Sequence, residues 1–230
     1  MAEARLDVGA VIRRVFEIYV EQAAVLMPAS AAVFVFTGIV ARVLIATSPG
    51  LGVVAIAIYL VAVTLFTGMV VSLVADVQDG RRDSSAGQLL RAASPVLGQL
   101  ILVGVVAAVG IIAGFILLVI PGLILLTLWS VSAPVVVIES PGVFPALRRS
   151  RLLVRGNGWQ VFAVIMIMVV LVGAAGNVID ALAASAGTGA GIVAQVVVGV
   201  LSAPLSALAA AVLYFELRDR SPAPQAPLTE

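Results

Sequence analysis

Residues 140–162, SPGVFPALRRSRLLVRGNGWQVF, hold Arg148, Arg149, Arg151 and Arg155, four of the thirteen basic residues of the chain. Long apolar runs with almost no charge lie on both sides, residues 121–138 upstream and 159–184 downstream. A helix needs about 20 mostly apolar residues to cross the hydrocarbon core of a bilayer, and both runs approach or exceed that. A basic stretch between two such runs has two readings. It marks the cytoplasmic side of a membrane protein, because cytoplasmic loops carry the excess of Arg and Lys. Alternatively, it is a site for an anionic ligand.

Working outward, the same test finds six spans, at residues 23–46, 51–75, 96–120, 121–138, 159–184 and 190–215. Arg5, Arg13 and Arg14 precede the first, and Arg81, Arg82 and Arg91 separate the second from the third. The quoted cluster separates the fourth from the fifth, and Arg218 and Arg220 follow the sixth. The other three connections, TSPG, PG and SAGTGAG, carry no charge. All thirteen arginines except Arg42 therefore fall on one side. The pattern predicts an all-α integral membrane protein with six transmembrane helices arranged as three hairpins. Both termini and the two long loops are expected in the cytoplasm. Residues 1–220 form a single domain, and the Pro-rich polar tail 221–230 is expected to be disordered. Pro121 and Gly122 form the turn that opens the fourth span, since Pro suits the first turn of a helix, where its missing N–H would be unpaired anyway.

Composition agrees. Of 230 residues, 62% are hydrophobic and 11% charged, and mean hydropathy is +1.21. Soluble domains are nearer half apolar and a quarter charged. A net charge of +1 gives no global basic field, so nucleic acid is not an expected partner. The chain has no Cys and no His. That removes thiol nucleophiles, disulfides, the commonest general base and the commonest metal ligand. No cofactor and no metal is expected. The N-terminal residues are amphipathic and mixed in charge, unlike the short basic start and immediate apolar core of a secretory signal.

Each hairpin is preceded by a short segment of similar layout: VGAVIRRVFEIYVEQ, AGQLLRAASPVLGQ and FPALRRSRLLVRGNGWQ. These are expected to be cytoplasmic amphipathic helices. In the first, Val8, Val11, Ile12, Val15 and Tyr19 share a face at helical spacing, opposite Arg13, Arg14, Glu17 and Glu21. Such a helix would lie in the headgroup region with its apolar side down. In the third, Arg148, Arg151 and Arg155 share a narrow arc and Val143, Leu147 and Val154 another. The arginine stripe suits anionic lipid headgroups, at about 1 kcal/mol per Arg near the surface. Trp159 is an interface anchor.

The run IPGLILLTLWSVSAPVVVIESPGVFPALRRSRLLVRGNGWQVF, residues 120–162, resembles the membrane domain found beside glycerophosphodiester phosphodiesterases and the related six-span bacterial membrane proteins. The features that carry the resemblance are Pro121-Gly122, Pro134, Glu139, ALRRS, Gly156 with Trp159, and the closing LYFELRDR. It implies a bacterial plasma-membrane module. It implies no phosphodiesterase activity, because that chemistry resides in a separate soluble barrel and uses a histidine pair this chain lacks.

Charges within the bilayer mark partners or sites. Arg42 and Asp180 stand at similar depth near the outer ends of the first and fifth spans, where they either form an ion pair or snorkel separately to the outer surface. Glu139 ends the fourth span beside the arginine cluster. It either pairs with Arg148 or Arg149 to fix that helix, or joins Arg148, Arg149, Arg151, Arg155 and Trp159 in a lipid or partner site. Asn177 and Gln195 are candidates for interhelical hydrogen bonds. Gly110 and Gly114 form a GxxxG pattern that suits close helix packing. Asp76, Asp79 and Asp83 have Arg81 and Arg82 among them, which reads as a solvated loop and not a metal site.

No nucleophile–base pair or carboxylate cluster appears at a shared depth, so the chain reads as non-catalytic. Its expected role is to organise lipid, or to dock a membrane or cytoplasmic protein, at its cytoplasmic face. The alternative is a transporter or permease-like subunit energised by another chain. A water-filled cavity lined by Asn177 and Gln195 would favour that alternative.

Overall fold

The structure, a computed structural model, describes residues 6–80, 87–88, 94–184 and 188–220. Arg5, Arg81, Arg82, Asp83, Arg91, much of the second amphipathic segment, part of the 185–191 turn and the 221–230 tail lie outside the described residues. The described residues are helical, with no strand among them. In chain order the helices are α1 (Val8–Glu21), α2 (Ala23–Thr47), α3 (Gly52–Gln78), α4 (Leu97–Leu117), α5 (Val119–Leu128), α6 (Ser132–Glu139), α7 (Val143–Val154), α8 (Gly158–Ala184) and α9 (Thr188–Arg220). Among the described residues six segments are long and apolar enough to cross a membrane: α2, α3, Ser94–Leu117, Val119–Glu139, Gly158–Ala183 and Val193–Arg220. Within the bundle α2 packs on α3, α4 on α5, and α8 on α9.

Burial divides the bundle into two zones. Near the arginine-rich end the second half of α3 is buried from Phe66 to Val77, and α9 is buried from Ala207 to Leu217. At the other end large apolar side chains stand open, among them Val53, Ile56, Ile116, Val178 and Leu182. Exposed apolar surface on this scale is foreign to a water-soluble monomer. Hydrocarbon is the solvent that suits it, and the chain is a multi-pass membrane protein.

The buried zone is completed by α1 and α7, and here the structure departs from expectation. The apolar face of α1 does not rest on lipid. Val11, Val15 and Ile18 are fully buried, and the helix packs against α9, α8 and α2. Asp7 caps it, its Oδ1 accepting from the Ala10 N–H at 3.1 Å. The Leu6 N–H reaches the Asn157 side chain at 3.2 Å, so the start of α1 is tied to the start of α8. Tyr19 donates from its hydroxyl to the Leu201 carbonyl at 3.2 Å. That carbonyl is next to Val200, whose usual helical donor is lost at Pro204. Burial pushes the Tyr19 phenol above its ordinary pKa, which keeps it a donor. An amphipathic segment that finds apolar protein surface buries its stripe there as readily as in lipid, and gains directed hydrogen bonds as well.

The fourth span also differs from the expected single helix over 121–138. It begins earlier, at Val119, and is broken between α5 and α6 at Trp129, Ser130 and Val131. The chain reverses at Leu118, whose backbone is extended (φ −169°), and not at Pro121-Gly122. Pro121 falls in the first turn of α5, where its missing N–H is harmless. Gly122 is where the two helices touch. A Cβ on Gly114 would stand 2.9 Å from the Gly122 Cα, so α4 and α5 meet backbone to backbone. Gly110 accommodates the Trp129 ring in the same way. The GxxxG pair thus packs within the chain.

Candidate functional site

At the break between α5 and α6 the N–H groups of Ser130 and Ser132 still close on the Thr127 and Trp129 carbonyls, at 3.4 and 3.1 Å, since an unpaired carbonyl in hydrocarbon would be costly. Hydroxyls add to these bonds. Ser130 Oγ donates to the Thr127 carbonyl at 2.9 Å, and Ser132 Oγ to that of Trp129 at 2.7 Å. The Leu128 carbonyl is reached from outside the span, by Ser150 of α7 at 2.8 Å. Ser150 is fully buried. Replacing Ser150 with Ala should lower unfolding stability by about 1–2 kcal/mol, the cost of leaving a buried carbonyl unpaired. Denaturant titration of the detergent-purified protein, followed by circular dichroism, measures it. A variant matching wild type would show that the carbonyl finds another donor.

One turn further along the chain the polypeptide folds back sharply. Ser140 ends α6 in the left-handed region (φ 47°), and its N–H closes on the Val136 carbonyl at 3.1 Å. Gly142 follows with φ 91°, a conformation that side chains rarely adopt, and starts α7. This reversal sets α7 alongside α6. Glu139 therefore faces Arg149, whose Nε lies 3.1 and 3.2 Å from the two carboxylate oxygens. The pair is half-buried, at 29% and 28% side-chain exposure. From α9, Tyr214 donates its hydroxyl to Glu139 Oε1 at 2.9 Å. Tyr214 is itself fully buried. Arg218, one turn on, lies over the Phe215 ring at 4.8 Å and the Tyr214 ring at 5.8 Å. Glu139 is the point at which α6, α7 and α9 are joined.

The four arginines of the opening stretch are thereby divided. Arg149 turns inward to Glu139. Arg148, Arg151 and Arg155 are exposed and make no ion pair among the described residues. Phe144, Leu152 and Trp159 are exposed among them, at 73%, 51% and 79%. On its other face α7 buries Ala146, Leu147, Ser150, Leu153 and Val154. The helix thus seals the bundle with one side and presents guanidinium and aromatic groups with the other.

Arg42 and Asp180 make no ion pair among the described residues, and both are exposed. Each can reach outward along its own stem. Asn177 and Gln195 also lie exposed on α8 and α9. Among the described residues no three acidic side chains gather as a metal site.

Sequence reasoning missed Ser150 and Tyr214 as contributors. Both lie within segments already singled out, ALRRS and LYFELRDR. A Tyr near the arginine-rich end of an apolar span, at a level where Glu139 also ends its helix, was the available signal. The segments that carry the resemblance, Glu139, ALRRS and LYFELRDR, converge in space on this one cluster.

The chain is 39% identical over 98 residues to a UPF0259 membrane protein of Pectobacterium carotovorum subsp. carotovorum (strain PC1). That match takes in 43% of this chain and spans 39% of the length of that protein. No protein-family model matches the chain, so the resemblance to the phosphodiesterase-associated membrane domain rests on the quoted residues alone. No solved structure matches it. The chain is thus a multi-pass membrane protein that is similar, over part of its length, to a bacterial membrane protein.

Proposed function

We propose that this is a non-catalytic protein of the bacterial plasma membrane that gathers anionic lipid at its cytoplasmic face. The observation that carries the reading is the division of the arginines on α7. One guanidinium serves the internal Glu139–Tyr214 cluster. Three make no ion pair among the described residues and stand on the outer face beside exposed Phe144, Leu152 and Trp159. Guanidinium groups interleaved with aromatic and aliphatic side chains match the membrane interface, where phosphate lies just above acyl chain. The gathering of arginines at one end of the bundle supports placing that end, with both termini, in the cytoplasm. The six spans then pair as three hairpins, with α1 and α7 closing the cytoplasmic end.

The test is lipid partitioning. The triple variant Arg148→Gln, Arg151→Gln, Arg155→Gln should keep its fold, since the three are exposed and none makes an ion pair among the described residues. In discs of phosphatidylcholine with a minority of phosphatidylglycerol, it should lose the local enrichment of phosphatidylglycerol that wild type shows. At about 1 kcal/mol per Arg, the relative affinity falls by at least about tenfold. Brominated lipids, which quench Trp fluorescence on contact, read this directly. Equal quenching by the two brominated lipids in wild type would refute the proposal. In that case the arginines would serve topology alone.

One observation favours the permease-like alternative: transporters often build their sites at discontinuous helices, and the fourth span is discontinuous. Here, though, hydroxyls of the protein already occupy the carbonyls of Thr127, Leu128 and Trp129. Asn177 and Gln195 are exposed as well.

A further inference from the structure

Between α5 and α8 runs an open groove of about 390 Å³ lined by Ile120, Leu123, Ile124, Leu128, Trp159 and Phe162, with Thr127 and Gly158 completing it. Its lining is almost wholly apolar, because Thr127 turns its hydroxyl back to the Leu123 carbonyl at 2.8 Å. Two links tie one end of the groove to α7. Leu128 lines the groove, and its carbonyl is held by Ser150, the residue between Arg149 and Arg151. Gly158 and Trp159 also line it, and they follow Arg155 across the short Gly156–Asn157 connection. Trp159 stacks on Phe162 at 5.3 Å, which makes a flat aromatic wall at that end. Away from that end the groove is bounded by Ile120 and Ile124, both more than half exposed.

We propose that the groove holds one acyl chain of a single anionic phospholipid, whose phosphate is met by Arg151 and Arg155. This rests on the lipid reading above and goes beyond it. General attraction to anionic headgroups needs only the arginines, whereas a retained lipid needs the groove as well. Charge complementarity selects the occupant. An apolar trough alone would take any acyl chain of the bilayer. The exposed guanidiniums of Arg151 and Arg155, on and just after the helix to which one end is tied, favour a chain that carries a negative headgroup at that end, as phosphatidylglycerol does. A zwitterionic lipid fills the groove equally well but meets the arginines with no net charge. The pairing of a tail site and a head site lengthens residence, because both must be released together.

The experiment uses the whole protein in discs of phosphatidylcholine containing a minority of phosphatidylglycerol, transferred to detergent and weighed by native mass spectrometry. Wild type should retain one phosphatidylglycerol, at least about tenfold in excess over retained phosphatidylcholine. The double variant Leu123→Phe, Ile124→Phe, which fills the trough, should lose that retained lipid. Its enrichment of brominated phosphatidylglycerol in the disc should persist, because the arginines are untouched. Trp159→Ala serves as the second variant. Trp159 is 79% exposed and its loss spares the core, so lower retention in that variant reports the groove and not misfolding. Retention undiminished in both variants overturns the groove, as does phosphatidylcholine retained as well as phosphatidylglycerol. If wild type shows neither enrichment in the disc nor retention in detergent, the headgroup reading fails and the groove fails with it.

Discussion

Replacing Glu139 with Ala should lower the unfolding free energy by about 2–4 kcal/mol. Its carboxylate accepts from Arg149 with both oxygens and from Tyr214 with one. Removal leaves two donors in place. Tyr214 is fully buried, and its hydroxyl then has no acceptor among the groups that now satisfy it. Arg149 is 28% exposed, so water can reach it and the loss falls short of that for a fully buried pair. Glu139→Gln keeps an acceptor for Tyr214 and gives up the charge, and should cost roughly half as much. Tyr214→Phe removes a hydrogen bond to a charged acceptor and should cost about 1.5–3 kcal/mol. Glu139 and Tyr214 share one bond, so the double variant should cost clearly less than the sum of the singles. Unfolding in mixed detergent and denaturant gives all these values. Additive losses would mean the two side chains act independently and the cluster is not a unit. The test also bears on function, because this cluster orients α7 and with it the outward arginines.

The second large effect concerns backbone. Gly114→Val should destabilise by about 3 kcal/mol or prevent the native packing of α4 on α5. The atoms that a Cβ would meet are the Gly122 Cα at 2.9 Å, the Gly122 N at 3.0 Å and the Pro121 carbonyl carbon at 3.2 Å. None of these belongs to a side chain that can rotate away, so the helices must separate. Separation would move α5, and with it Trp129, the break and the groove wall. Gly104 is the control. A Cβ there meets nothing within 4 Å, so Gly104→Ala should be neutral or stabilising, by up to about 1 kcal/mol from helix propensity. Gly110→Ala should fall between the two, because its obstacle is the Trp129 side chain. Thermal unfolding of the three variants in one detergent ranks them. A Gly114→Val protein as stable as Gly104→Ala would contradict the close approach.

What could be read from the residues, and what could not, follows from the range of the interactions involved. Apolar runs of bilayer length are a property of consecutive residues, because every backbone group in hydrocarbon must be bonded within its own helix. Hence 23–46 and 159–184 in the sequence became Ala23–Thr47 and Gly158–Ala184 in the structure. The placement of all arginines but Arg42 in a few connections is likewise local information. The GxxxG spacing announced a close contact but not its partner. Glu139 was legible as a residue needing a partner, and Arg149 was one of two named for it. Choosing between Arg148 and Arg149 took the reversal at Ser140 and Gly142, which sets the angle of α7 on α6.

Tertiary structure alone decided the rest. The break at Trp129–Val131 lies inside a run apolar enough on average to read as one span, and there the hydroxyls of Ser130, Ser132 and the distant Ser150 bond the carbonyls of Thr127, Trp129 and Leu128. The apolar face of α1 was evident, but lipid and protein are equally good hosts for a hydrophobic stripe. Only packing against α9, α8 and α2 shows which one it meets. Arg42 and Asp180 looked like partners because depth along a span can be counted in residues. Rotation about the helix axes, which sets the direction of each side chain, cannot be counted that way. The sequence alone determined how often the chain can cross a bilayer and where its charge collects, since both depend on neighbours in the chain. Which arginine turns inward, which carbonyls need a hydroxyl and which surfaces remain for lipid depend on helices brought together from far apart in the chain, and the folded arrangement decided them.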